Sequence, residues 1–188
     1  MSTPIPADRL RALNSGDAAA THLAECLAVD FAALLQGVAP VLEPEALQRM
    51  RNASGKGITQ RMALAAVLLR EAGQGAAAQW QSHPSDTVRG WACYLIGSDA
   101  TLALAGKLQA MQPLADDTHF GVREWAWLAV RTDLVAAPVQ ALQLLLPWAH
   151  EASPYLRRFA CEALRPRGVW ASHIALFKQQ PQHALPLL

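Results

Sequence analysis

Glu124 stands alone among arginines and aromatics. In the run VREWAWLAVR (Val122–Arg131) it precedes Trp127 by three residues and Arg131 by seven, and Arg158, Arg165 and Arg167 follow within one short stretch. A carboxylate among such groups can hold a surface ion pair, here with Arg123 or Arg131. The tightly spaced Arg158, Arg165 and Arg167 suit phosphate contact, because the planar guanidinium binds phosphate oxygens in pairs. Trp127 replaces the cysteine that two related segments carry at its position, and either packs in the core or flanks the face that holds Glu124. No Walker A loop, Rossmann glycine fingerprint, HExxH or GxSxG motif occurs. A catalytic reading therefore has to rest on Glu124 or another isolated carboxylate. The six histidines are scattered without metal-ligand spacing, and the three cysteines (Cys26, Cys93, Cys161) contain no CxxC. Neither a metal nor a cofactor nor a disulfide framework is called for.

These residues sit in an internal repeat. Trp80–Gly97, Leu114–Arg131 and Trp148–Arg165 align at an offset of 34 residues. Trp80, Leu114 and Trp148 share one slot; Val88, Val122 and Leu156 share the next. Arg89, Arg123 and Arg157 match, then Trp91, Trp125 and Phe159, then Ala92, Ala126 and Ala160. Three registers of rare Arg and Trp are hard to produce by chance. Each copy reads as a helix, a polar turn and a second helix. Val88, Trp91, Ala92 and Leu95 stand at i, i+3, i+4 and i+7, a one-sided apolar stripe that only stacked neighbours can bury. The recurrent arginine predicts a ladder to acidic or carbonyl groups of the preceding turn. Cys93 and Cys161 read as small packing residues, and His83, His150 and His173 as solvated or capping groups near turns.

With the core slot at zero, about 100° per residue points two later slots outward. One holds Gly90, Glu124 and Arg158, the other Gly97, Arg131 and Arg165. If second helices line a concave surface, Glu124, Trp127, Arg131, Arg158 and Arg165 share one groove. Residues 153–188 carry five basic side chains against the single acid Glu162, whereas the whole chain is only +1. A basic end on such a surface fits a polyanion. The 13 arginines and 3 lysines favour planar, bidentate contacts over diffuse attraction.

The chain of 188 residues is 52% hydrophobic and 16% charged, enough for a sizeable core and too apolar for disorder. Helical spacing runs almost throughout, and no alternating strand pattern appears. The expected fold is all-α, an α-α superhelix, a solenoid of stacked helix pairs with a concave, partly basic face. It spans residues 1–188 as one domain, with flanking helices over 1–55 and the repeat array over 58–188, where Ile58–Arg70 is a degenerate further helix. No run is long and apolar enough to span a membrane, and the N-terminus lacks a signal-peptide core. A cytoplasmic location is expected.

The pattern D-x-x-V-R-x-x-A, from Asp86 through Arg89 to Ala92, resembles HEAT repeats. The run RRFACEALRPRGVWASHI (Arg157–Ile174), with VREWAWLAVR before it, resembles the HEAT-like-repeat DNA alkylation repair family of the AlkC/AlkD type, nearer the AlkC branch. The resemblance covers roughly residues 58–188. It implies a monofunctional, metal-free DNA glycosylase that grips duplex DNA on a basic concave face and releases N3- or N7-alkylated purines. It places Glu124 at the catalytic-type glutamate, makes Trp127 and Arg158 groove neighbours, and leaves Arg131, Arg158, Arg165 and Arg167 to hold DNA. The implied protein is a monomer, nucleoid-associated when bound to DNA. Two departures stand out: the further repeat with another acidic residue is absent, and so is the tryptophan pair with a catalytic aspartate. The alternatives are a non-catalytic HEAT-repeat DNA-binding protein and a protein-interaction scaffold. The Arg-rich slot argues against the scaffold.

Overall fold

The computed structural model describes residues 4–167 and 171–187. The Gly168-Val169-Trp170 part of the RPRGVW run lies outside the described residues. Among those described, every regular element is helical, as the spacing predicts: α1 (Ala7–Ser15), α2 (Leu23–Ala28), α3 (Phe31–Val38), α4 (Pro44–Asn52), α5 (Ile58–Glu71), α6 (Asp86–Gly97), α7 (Leu104–Ala115), α8 (Phe120–Ala136), α9 (Pro138–Leu145), α10 (Pro154–Leu164) and α11 (Ala175–Gln179), with short 3₁₀ turns between. No helix is long and apolar enough to cross a membrane. The chain divides into two compact units, Met1–Leu95 and Ile96–Leu188. The division falls inside α6, so the first repeat copy belongs mostly to one unit and the other two copies to the other.

In the first unit, local signals set the helix ends. Gly16 closes α1 in the left-handed region (φ 87°), and the N–H of Asp17 returns to the Ala12 carbonyl. A side chain there would be strained and would meet Val38 at 2.9 Å. Asp30 caps α3 by accepting from the N–H groups of Ala32 and Ala33. Leu34, Leu35, Met62, Leu68, Leu69 and Trp91 form a fully covered core, and the Phe31 and Trp91 rings meet edge-on at 5.9 Å. The residue-58 helix expected from the sequence is α5. Two polar clasps fasten the flanking helices. Glu25 pairs with Arg9 at 2.7 Å, and Asp86 Oδ1 accepts from Ala20 N–H at 2.8 Å. The Arg9 hydrogen bond holds the Glu25 carboxyl at a pKa of about 2, against the cost of its burial.

The repeat is visible as geometry. Arg123 Nη1 donates to the carbonyls of Asp117 and Thr118 at 2.7 and 2.8 Å. Arg157 Nη1 donates to those of Glu151 and Ala152 at 2.7 and 2.8 Å. In the first unit Arg89 Nη1 donates to those of His83 and Pro84 at 2.6 and 3.0 Å. The ladder goes to turn carbonyls, one of the two partners the sequence allows. Trp91, Trp125 and Phe159 are buried, as the stripe requires. Trp148 packs against Phe159 with ring centroids 5.1 Å apart.

Candidate functional site

The site is assembled within the second unit by α8 and α10, which pack against each other. His119 caps α8 by accepting from Gly121 N–H, and Ser153 caps α10 with Pro154 as the first helical residue. Both starts follow the turn that the ladder arginine clamps. Arg123 also stacks 4.0 Å over the ring of Tyr155, which joins the first turns of the two helices.

Glu124 and Trp127 stand three residues apart on one face of α8. The Trp127 indole N–H donates to Glu124 Oε2 at 2.9 Å. From α10, Arg158 Nη2 donates to Glu124 Oε1 at 2.5 Å. Arg158 also lies 4.0 Å from Glu162, and Glu162 pairs with Arg165 at 2.8 Å. Trp127, Glu124, Arg158, Glu162 and Arg165 thus form one continuous polar line. The Glu124 side chain is 34% exposed, and those of Arg158 and Arg165 are 45% exposed. Trp127 is buried, so its ring packs in the core while its N–H serves the surface. The ion pair anticipated with Arg123 or Arg131 forms instead with Arg158, one repeat further on.

Arg131 is a correction. The spacing puts it in the groove, yet it is only 3% exposed. Its Nη1 donates to the Ala163 carbonyl, its Nη2 to those of Arg165 and Ser172 at 2.8 and 2.7 Å, and its Nε to Ser172 at 3.0 Å. Burial, reinforced by the nearby Arg165 charge, lowers its pKa from the usual guanidinium value. The reason lies in the stacking. The face opposite the core stripe meets the next copy instead of solvent. A Cβ on Gly97, one repeat earlier, would sit 2.3 Å from the Ala129 carbonyl oxygen, and Ala129 is the repeat equivalent of Ala163. The same slot therefore meets the same carbonyl twice, once with no side chain and once with a guanidinium. Arg165 occupies that slot in the last copy and stays exposed.

Arg167 is exposed and makes no ion pair among the described residues. Of the candidate DNA contacts, Arg158, Arg165 and Arg167 are each exposed; Arg131 is not, and Trp127 is buried with its N–H on Glu124. Gly90 of the Glu124 slot is buried rather than outward. Cys161 departs from its packing role and is exposed, whereas Cys93 is buried.

Comparison with protein-family models, curated proteins and solved structures finds no match. The line of residues must speak through its own chemistry.

Two participants were not singled out from the sequence. Glu162 bridges Arg158 and Arg165; its signal was present as the one acid in an arginine-rich stretch. Lys107 is buried in α7, where Nζ donates to the Gly97 carbonyl at 2.8 Å and to Asp133 at 2.7 Å. As the one charged residue of α7, it could have been marked from the sequence.

Proposed function

We propose that the chain is a DNA alkylation repair protein built as a HEAT-like repeat array, a glycosylase that releases N3- or N7-alkylated purines from duplex DNA. The observation that carries this reading is Glu124, held half-exposed between the Trp127 N–H and the Arg158 guanidinium, with Arg165 joined to Arg158 through Glu162. The spacing of the ladder arginines and their shared turn carbonyls support the repeat array.

Alkylation of a purine ring nitrogen makes the base cationic and a good leaving group. As the bond from C1′ to the base nitrogen breaks, its electron pair leaves with the base, and positive charge develops on the sugar. A preorganised carboxylate stabilises that charge, orients the water that adds to C1′, and accepts the proton that water then loses. Glu124 takes this role. Its Arg158 partner is exposed and exchangeable: a DNA phosphate draws Arg158 away, frees Oε1, and leaves Oε2 fixed by Trp127. Arg165 and Arg167 supply the other phosphate contacts. Three contacts give a salt slope near about −2.7, or about fortyfold weaker binding between 50 and 200 mM salt.

The test is release of N3-methyladenine and N7-methylguanine from methylated duplex DNA. Release should exceed the spontaneous rate and vanish in Glu124→Gln, with DNA affinity retained. Arg158→Ala with Arg165→Ala should flatten the salt slope by about 2. Full activity in Glu124→Gln removes the carboxylate from the mechanism. An unchanged slope in the double variant removes these arginines from the DNA contact.

A second reading, DNA binding without chemistry, is favoured by one feature: both Glu124 oxygens are already engaged. Salt-dependent duplex binding with no base release by the unaltered chain would select it.

A further inference from the structure

The first unit buries an arginine that it does not satisfy. Arg61 of α5 is 9% exposed. Its Nη1 reaches the Val29 carbonyl and its Nη2 the Leu27 carbonyl, both at a long 3.3 Å. Its Nε has no partner. A guanidinium offers five N–H donors, so most of this one's capacity is unused. The ring of Phe31 lies 4.7 Å from its central carbon. No carboxylate pairs with it among the described residues. Asp30 is near, but its Oδ1 is held by the N–H groups of Ala32 and Ala33. Burial lowers the Arg61 pKa, only partly offset by Asp30.

Arg61 lines a cavity of about 430 Å³. Leu27, Phe31 and Met50 form its apolar wall, and Arg51 and Ser54 stand on its polar side. Arg51 is exposed, and its one side-chain bond goes to Gln48 at 3.3 Å. Two arginines therefore line a concave, half-apolar space, and Asp30, the acid on its wall, caps its own helix through Oδ1. A cation buried with spare donors is stabilised by an acceptor of opposite charge.

We propose that this cavity binds a small organic oxyanion, a carboxylate or phosphate carried on an apolar body. Arg61 and Arg51 hold the charged end, and Leu27, Phe31 and Met50 contact the rest. The site is separate from Glu124 and does not depend on the reading of that residue.

The experiment is a ¹H–¹⁵N NMR titration of the full chain with phenylphosphate and with benzoate, and with phenol as the neutral control. The expected result is a saturable shift of the Arg61 Nε–H signal and of the amides from Leu27 to Ala32. Phenol should bind at least about tenfold more weakly, because it carries no negative charge and has no second oxygen for a bidentate pair with a guanidinium. Arg61→Met should abolish the oxyanion response, and Arg51→Gln should weaken it about threefold or more by removing an exposed charge. If Arg61→Met does not fold, Arg51→Gln decides: unchanged affinity there overturns the proposal. So do an unmoved Nε–H signal with both oxyanions, phenol binding as tightly as they do, and a full response in folded Arg61→Met.

Discussion

Each unit buries an arginine against backbone carbonyls, and the two are satisfied differently. Arg131 spends Nε, Nη1 and Nη2 on Ala163, Arg165 and Ser172. Arg61 makes two long bonds, leaves Nε without a partner, and faces a cavity. Neither guanidinium has a carboxylate partner among the described residues, and burial lowers both pKa values. The contrast teaches that burial alone does not assign a role to a charged side chain. A saturated guanidinium cements a helix end whose carbonyls would otherwise go unpaired. An unsaturated one beside open space is equipped for a ligand.

Four measurements sharpen or break this comparison. The largest effect belongs to Arg131→Met, which strips the Ala163, Arg165 and Ser172 carbonyls of their donor. Denaturant unfolding should show a loss of about 3 kcal/mol or more. The salt slope for duplex DNA should not move. Unaltered stability with a slope flattened by about 1 would return Arg131 to the phosphate contacts.

Gly97→Ala tests the stacking that buries the slot. Its new methyl would sit 2.3 Å from the Ala129 carbonyl oxygen, which is backbone and cannot step aside. A destabilisation of about 2 kcal/mol is expected in thermal melts. A neutral result would mean that the backbone at Gly97 is not held against Ala129.

The Arg9–Glu25 clasp supplies a smaller, pH-dependent term. The Glu25 carboxyl lies at about 2 in the folded chain, below its ordinary 4.5. A depressed carboxylate pKa adds stability that is complete above about pH 4.5 and drains away as pH falls toward 2. Glu25→Gln should remove that acid limb and cost about 1–2 kcal/mol at neutral pH, since Arg9 is partly exposed. A limb that persists in Glu25→Gln belongs to another carboxylate.

Arg61→Met should have the smallest effect, at most about 1 kcal/mol. It loses two weak bonds but also removes a poorly solvated charge. A loss as large as that in Arg131→Met would make the two arginines equivalent and end the contrast.

The helices, their breaks and the repeat were legible in the sequence. Val88, Trp91 and Ala92 follow the helical period, and their repetition at 34 residues marks one supersecondary unit used again. The ladder arginine was legible too, because its partners lie five and six residues back, inside its own turn. The Glu124–Trp127 bond lies within one helical turn, and the spacing brought those two residues together.

Pairings between copies were decided only by the tertiary structure. A helical wheel treats one helix as if solvent surrounded everything beyond its apolar stripe. Stacking gives α8 a second covered face, so Arg131 disappears into the Ala163, Arg165 and Ser172 carbonyls although its angle resembles that of an exposed residue. Arg158 likewise reaches Glu124 from a full repeat away, because α10 lies beside α8. Nothing in the sequence marks Arg61, since an unpaired charge and a cavity are properties of what surrounds a side chain in space. The sequence by itself determined the helices and the contacts made within a turn, where covalent spacing sets the distance. The tertiary structure decided which charges face water, because that depends on neighbours distant along the chain.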